Sequence, residues 1–167
     1  MTPCEPSAEQ ALFLYAARRL LIVLHGAGSV VLIGAATHHA LQMRHYLGGR
    51  FAREGMEKTW AKVVSVAYVA TFALGALLYP TYRVHVRGYF LDRYAPFYAE
   101  LFDVKEVYAS LTLVVAVGLG LLAASSFRPS QQPAFVRVYA AMSFIVCGIV
   151  WFEVIAGLLI VSVRGVG

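Results

Sequence analysis

Four apolar stretches, each close to the length needed to cross a lipid bilayer, dominate this sequence. They run from about residue 20 to 43, 63 to 82, 107 to 127 and 139 to 163. About 20 helical residues span the roughly 30 Å hydrocarbon layer of a bilayer. The 167-residue chain leaves no long polar stretch for a separate soluble domain. We therefore predict a single membrane domain over residues 1–167, an all-α integral membrane four-helix bundle whose main partner is the lipid bilayer.

The composition supports this prediction and excludes several function classes. Only 14% of the residues are charged, whereas soluble domains carry about a quarter. Cys4 and Cys147 are far apart, and neither a CxxC motif nor zinc-ligand spacing occurs. No nucleotide-binding loop, hydrolase signature or nucleic-acid-binding module is recognisable, and the net charge of +5 suits loops against anionic lipid. The sequence favours a redox or accessory subunit over a stand-alone enzyme, with no nucleic-acid partner.

The connection between the second and third spans is rich in aromatic residues. Thr81 to Glu106 contains seven of them, interleaved with charged side chains. Disordered linkers are poor in aromatics, so this composition predicts an interfacial cap that is folded at the membrane surface. The alternative is a simple connector whose long side chains reach toward water.

Basic residues give only a weak indication of orientation. Each side of the predicted bundle collects seven Lys and Arg residues, and the connection from Arg44 to Lys62 is the most densely basic. The positive-inside rule places that connection in the cytoplasm. We therefore expect a bacterial-type inner membrane protein with both termini outside.

The first span carries histidines on one helical face. His25 and His39 are fourteen residues apart, so they differ by about 40° around the helix and lie about 21 Å apart along it. Between them the same face carries small residues such as Gly28. This pattern predicts a shallow groove with a nitrogen ligand at each end. Alternatively, the small residues serve close helix packing, and His38, His39 and His45 lie in the interface and contact lipid headgroups.

This arrangement resembles two-haem membrane cytochromes, in which one helix carries two histidines about four turns apart. The resemblance implies that His25 and His39 are metal ligands, each binding a haem b near one leaflet. The other three spans contain no histidine. The second ligand would therefore be Met142 or an imidazole from a symmetry mate or another subunit.

A second, shorter resemblance involves the eight residues "HHALQMRH", His38 to His45. They are similar to the His-x(5)-Arg-His stretch near a haem ligand in the cytochrome-b anchor subunits of succinate dehydrogenases. The resemblance implies that His38 is the ligand and that Arg44 and His45 lie near haem propionates or headgroups. Gln42 stands where that family usually has Gly, and the choice between His38 and His39 stays open.

Glu153 is the only acidic residue deep in an apolar span. An ionisable residue inside a membrane indicates a functional site by default. Glu153 and His25 are expected at similar depths below the same surface, so we predict that they pair, relay protons or bind a quinone headgroup. Lys105 and Asp103, with Tyr79 and Arg83, are expected on that same side. The alternative is a protonated Glu153 bonded to a nearby backbone or serine group.

Together these features predict a membrane electron-transfer subunit that is b-type-cytochrome-like or interacts with quinone. Glu153 would handle protons, and the chain would work as a homo-oligomer or in a larger respiratory-type complex. One alternative is a non-catalytic accessory or assembly subunit without a cofactor. Another is a small proton-coupled transporter, which would need to oligomerise to enclose a path.

Overall fold

A computed structural model describes residues 14–51, 54–126 and 128–164, and every regular element in these ranges is helical. A short 3-10 turn, Tyr15–Ala17, leads into helix α1. The second helix continues through a π-helical segment, Arg83–Leu91. The helices are α1 (Arg18–Leu47), α2 (Glu54–Tyr82), α3 (Asp92–Tyr94, a single turn), α4 (Pro96–Ala124) and α5 (Pro133–Val163).

The prediction of an all-helical chain is confirmed, and four of its helices are long and apolar enough to cross a membrane. Helices α1, α2 and α5 each contain one predicted span entirely. The third predicted span begins inside α4, and its end at residue 127 lies outside the described ranges. The helices extend beyond the apolar stretches because good helix formers such as Glu and Lys continue them past the hydrocarbon length.

The four long helices pack side by side in a closed ring. Helix α1 contacts α2 and α5, and α4 contacts the same two helices. Contacts such as Thr37 with Trp151 and His39 with Ser143 show that α1 and α5 run antiparallel. Short connections likewise make chain neighbours antiparallel.

Buried side chains recur alternately three and four residues apart on all four helices. They are Leu32, Ala36, His39, Met43 and Tyr46 on α1; Glu57, Ala61, Val64, Tyr68 and Thr71 on α2; Thr112, Ala116, Leu119 and Ala123 on α4; and Val136, Tyr139, Ser143, Val146 and Val150 on α5. This spacing is typical of left-handed packing between nearly parallel helix axes. Large apolar side chains cover the outer faces, and Val30, Val66, Val114 and Leu158 are 67% to 73% exposed.

The segment between the second and third spans is a helical extension. It continues α2 to Tyr94, and α4 begins at Pro96, well before the predicted start at residue 107. Its aromatic and apolar residues build a small second core, in which the rings of Tyr82 and Phe102 stack with centroids 3.9 Å apart. The position of this segment as a cap at a membrane surface stays a prediction.

Candidate functional site

Four polar side chains from three helices meet in the interior of the bundle. His39 on α1 lies with Nε2 2.8 Å from Oε1 of Glu57 on α2 and with Nδ1 2.7 Å from Oγ of Ser143 on α5. The hydroxyl of Tyr139, one turn before Ser143, donates to the same Glu57 oxygen at 2.6 Å. None of the four is more than 3% exposed. We call this group the His39 cluster.

The helix faces explain why these polar residues are buried. Each occupies a position in the three-and-four pattern that carries Leu, Val, Ala and Met elsewhere on the same helix. A side chain at such a position faces the neighbouring helices whatever its polarity. The polar groups therefore have to satisfy one another, and they do so through the bonds just described.

The hydrogen bonds of the His39 cluster suit either protonation state of the ring. In a neutral ring, Nε2–H donates to Glu57, and the Ser143 hydroxyl donates to Nδ1. In a protonated ring, Nδ1–H donates to Ser143 while Nε2–H still donates to Glu57. A buried carboxyl group is costly unless it is hydrogen-bonded or paired, so the bonds from His39 and Tyr139 are what allow Glu57 to lie in the interior.

One oxygen of Glu57 has no hydrogen-bond partner. Oε2 is buried and makes no hydrogen bond within the described part of the chain. Buried polar atoms are nearly always paired, and exceptions require an explanation. This oxygen is the natural position for a carboxyl proton, because Oε1 already accepts two hydrogen bonds.

A second polar site lies in the other half of the bundle. Nζ of Lys105 on α4 is 2.8 Å from Oε2 of Glu153 on α5, and the two side chains are 21% and 15% exposed. The sequence predicted His25 as the partner of Glu153, whereas the structure pairs Glu153 with Lys105. An ammonium group compensates a carboxylate in an apolar setting more fully than a neutral imidazole does.

His25 contacts α2. Its Nδ1 is 3.0 Å from the backbone oxygen of Thr71 and donates a hydrogen bond to it. A neutral ring in this tautomer carries its lone pair on Nε2. Gly75 leaves room for the ring, since a Cβ there would lie 3.2 Å from Cε1 of His25.

The face of α1 between His25 and His39 packs against protein. A Cβ at Gly28 would lie 2.8 Å from Oγ1 of Thr71 on α2. Leu32 and Ala36, further along the face, belong to the main core. The prediction that His25 and His39 share a face agrees with their contacts, since both bond to α2. At Gly28 the groove predicted between them lies against Thr71 of α2, and a cofactor-binding role of Gly28 stays a prediction.

His38 has surroundings unlike those of His39. It is exposed, its Nε2 accepts a hydrogen bond from the Gln42 amide at 2.9 Å, and its ring centroid lies 4.5 Å from that of Trp60. Arg44 and His45 are exposed as well. The resemblance to succinate dehydrogenase anchor subunits implied a position near haem propionates or headgroups for both. Ligation of haem by His38, His39 or His25 stays a prediction.

The remaining residues of the predicted face form separate contacts. Arg83 donates to the Tyr79 hydroxyl at 3.4 Å. Asp103 is bound at both carboxylate oxygens by the guanidinium group of Arg87, which the sequence did not single out. Within residues 14–51, 54–126 and 128–164, no three His, Cys, Asp or Glu side chains lie close enough together to hold a metal ion.

Sequence reasoning missed Glu57, Tyr139 and Ser143. Glu57 lies before the predicted second span, in the charged stretch "EGMEKTWAK", and so looked like part of a connection. The signal that could have found it is its spacing, because Glu57 continues the pattern of Ala61 and Val64 backward by one step.

Comparison with protein-family models, with curated proteins and with solved structures finds no match to this chain. The function therefore has to be inferred from the chemistry of the two polar sites. Of these, the His39 cluster is the more fully buried and joins more helices.

Proposed function

We propose that the protein spans a membrane and takes up and releases protons at the His39 cluster. The observation that carries this proposal is the buried carboxyl group of Glu57, which is bonded to His39 and Tyr139 through one oxygen and has no partner for the other oxygen among the described residues. Such a group can gain or lose a proton without any change in the position of its heavy atoms. Tyr139 and Ser143 stay neutral, and their hydroxyl groups can rotate. They therefore stabilise both the protonated and the ionised form of the cluster.

The surroundings of the cluster favour proton exchange over a purely structural role. The neighbouring core residues, including Met43, Val64 and Val146, are almost completely buried. In such a medium the charge of an ionised Glu57 is poorly solvated, so the energies of its protonation states respond strongly to nearby charges. A membrane subunit that couples proton movement to another process requires a group whose protonation responds to nearby charges in this way.

The proposal also includes the position of the protein in a membrane. We place the four long helices across the bilayer, because each is apolar and long enough and carries exposed apolar side chains on its outer face. The inner membrane of a bacterial-type cell, with both termini outside and the segment after α2 as a surface cap, remains the proposed arrangement.

Electron transfer with haem b is a second candidate function, and one observation favours it for His25. Metal-ligating histidines usually donate their other ring N–H to a carboxylate, a backbone carbonyl or water. Nδ1 of His25 does so toward Thr71, which leaves Nε2 as the ligating atom. His39 is less suited, because ligation would break its bond to Ser143 or Glu57.

Infrared difference spectroscopy at varied pH tests the proton-handling function. In the purified protein, a carboxylic acid C=O band should change in intensity with pH, and Glu57→Gln should abolish that change. The Gln side chain preserves the shape and can still accept from Tyr139, but it cannot titrate. Glu54→Gln is the matched control, since Glu54 lies one turn earlier on α2 and accepts from Ser130 at the surface. A pH-dependent band that survives in Glu57→Gln would contradict the proposal.

The absorption spectrum tests the haem candidate separately. Protein purified from haem-replete cells should show a Soret band that sharpens on reduction. His25→Ala should lose this band, and His39→Ala should keep it. A colourless protein, or one whose band persists in His25→Ala, rules out His25 as a ligand.

A further inference from the structure

A recess with a volume of about 190 Å³ opens beside the His39 cluster. It lies where α1 ends and α5 begins, and its lining residues are Tyr46, Leu47, Gly49, Phe51, Val136 and Arg137. Tyr46 is two turns beyond His39 on α1, and Val136 is one turn before Tyr139 on α5. The recess is therefore next to the cluster and open at the end of the bundle.

Tyr46 is the lining residue that also faces the cluster. It is 4% exposed, and its ring packs edge-on against Phe51 with centroids 5.2 Å apart. It lies close enough to Glu57 and Tyr139 for electrostatic interaction with both. Tyr46 therefore borders the recess and also belongs to the same buried core as Tyr139.

Two oxygens near this boundary have unused hydrogen-bonding capacity. The hydroxyl of Tyr46 and Oε2 of Glu57 are both buried, and neither has a hydrogen-bond partner in the described ranges. Because Tyr46 and Glu57 lie within electrostatic range of each other, a water molecule between them can connect these two oxygens. A tyrosine hydroxyl can accept one proton while it donates another.

We propose that Tyr46 carries protons between the recess and Glu57, a role that rests on the proposed function of the His39 cluster. A hydronium ion in the recess transfers a proton to the Tyr46 oxygen and leaves as water, while the original hydroxyl proton passes, directly or through a bridging water molecule, to Oε2 of an ionised Glu57. Tyr46 ends as a neutral phenol, and Glu57 ends as a neutral carboxylic acid. Release follows the same steps in reverse, so no other reactant is needed.

The other charged and titratable groups near Glu57 are engaged elsewhere or lie away from the recess. Lys58 donates to the backbone oxygen of Ser125, and Glu54 accepts from Ser130. Tyr139 and His39 bond to Oε1 of Glu57 but do not line the recess. Arg137 lines the recess and carries an exposed guanidinium group.

Time-resolved infrared spectroscopy after a pH jump tests this role. In Tyr46→Phe the Glu57 carboxyl band should reach its normal final intensity, because the cluster is unchanged. Its rise should slow at least about tenfold, since a positioned proton carrier typically contributes that much or more. Tyr82→Phe is the matched control. The Tyr82 hydroxyl is also buried and has no hydrogen-bond partner among the described residues, but it lies at the end of α2 far from Glu57.

A second pair of variants tests the recess without touching the hydroxyl. Leu47 lines the recess and Leu41 does not, although both are 51% exposed. Leu47→Trp should fill the recess and slow the rise of the band, whereas Leu41→Trp should leave the rate unchanged.

The outcomes separate the two proposals. A wild-type protein with no pH-dependent Glu57 band overturns the proton-handling function and this inference with it. A normal band whose rate is the same in wild type, Tyr46→Phe and Leu47→Trp overturns only the role of Tyr46.

Discussion

Nε2 of His39 and Oε1 of Glu57 lie 2.8 Å apart, and neither side chain is more than 1% exposed. This bond joins α1 to α2 near the end where their connection lies. A shift of either helix by one residue would turn one of the two groups away from the other. The pair therefore fixes the register of α1 against α2, in addition to any role in proton transfer.

The adjacent histidines should differ sharply in their effect on stability. His39→Ala leaves Glu57 and Ser143 without their shared partner and opens a cavity, so we expect a loss of about 3 kcal/mol in the free energy of unfolding. His38→Ala removes only exposed contacts with Gln42 and Trp60 and should cost less than about 1 kcal/mol. Thermal unfolding in detergent, followed by circular dichroism, measures both. A larger loss from His38→Ala would contradict the assigned helix face.

Gly28→Ala should destabilise the protein by about 1–3 kcal/mol, because the new methyl group would overlap with Oγ1 of Thr71. Gly34→Ala on the same helix is the control. Apart from the backbone of α1 itself, no atom in the described part of the chain lies within 4 Å of its Cβ position, so the substitution should stabilise α1 by about 0.5–1 kcal/mol. Adding Thr71→Ala to Gly28→Ala should relieve the overlap, and additive losses in the double variant would show that the two residues do not touch.

Tyr139→Phe should cost about 1.5–3 kcal/mol, since it removes a hydrogen bond to the carboxyl group of Glu57. Tyr94→Phe makes the same change at a side chain that is 72% exposed and should alter stability by less than about 0.5 kcal/mol. Chemical denaturation of both variants in the same detergent provides the comparison. Equal effects would mean that the Tyr139 hydroxyl does not bond to Glu57.

The ion pair between Lys105 and Glu153 should appear as strong coupling in a double-mutant cycle. Lys105→Met and Glu153→Leu each leave a charge in an apolar setting and should cost about 3 kcal/mol. The double variant removes both charges and should be more stable than either single variant. A double variant that loses the sum of the two would show that the residues act independently.

The sequence was sufficient to predict the four long helices, because about 20 apolar residues in a row have few other stable arrangements near lipid. It was also sufficient to place His25 and His39 on one face. The helix ends were harder to predict. Polar residues such as Glu57 continue a helix beyond its apolar centre, and apolarity alone does not mark that extension.

The partners of the buried polar groups could not be predicted, since they depend on which helices become neighbours. Glu153 was recognised as an unusual residue and Lys105 was expected on the same side of the bundle, but nothing in the helix of Glu153 indicates that Lys105 rather than His25 is its partner. Likewise, Ser143 becomes informative only once α5 is known to pack against α1. The periodicity of a helix shows whether a side chain faces the interior of the bundle. The packing of the helices then determines which side chain on a neighbouring helix is its partner.

The order of the helices around the ring has a consequence for biogenesis. The chain forms two hairpins, α1 with α2 and α4 with α5. His39 meets Glu57 inside the first hairpin, and Lys105 meets Glu153 inside the second. In the proposed membrane setting, each hairpin would enter the bilayer during synthesis with its acidic side chain already paired to a basic side chain of the same hairpin, so neither would have to wait for the other half of the molecule.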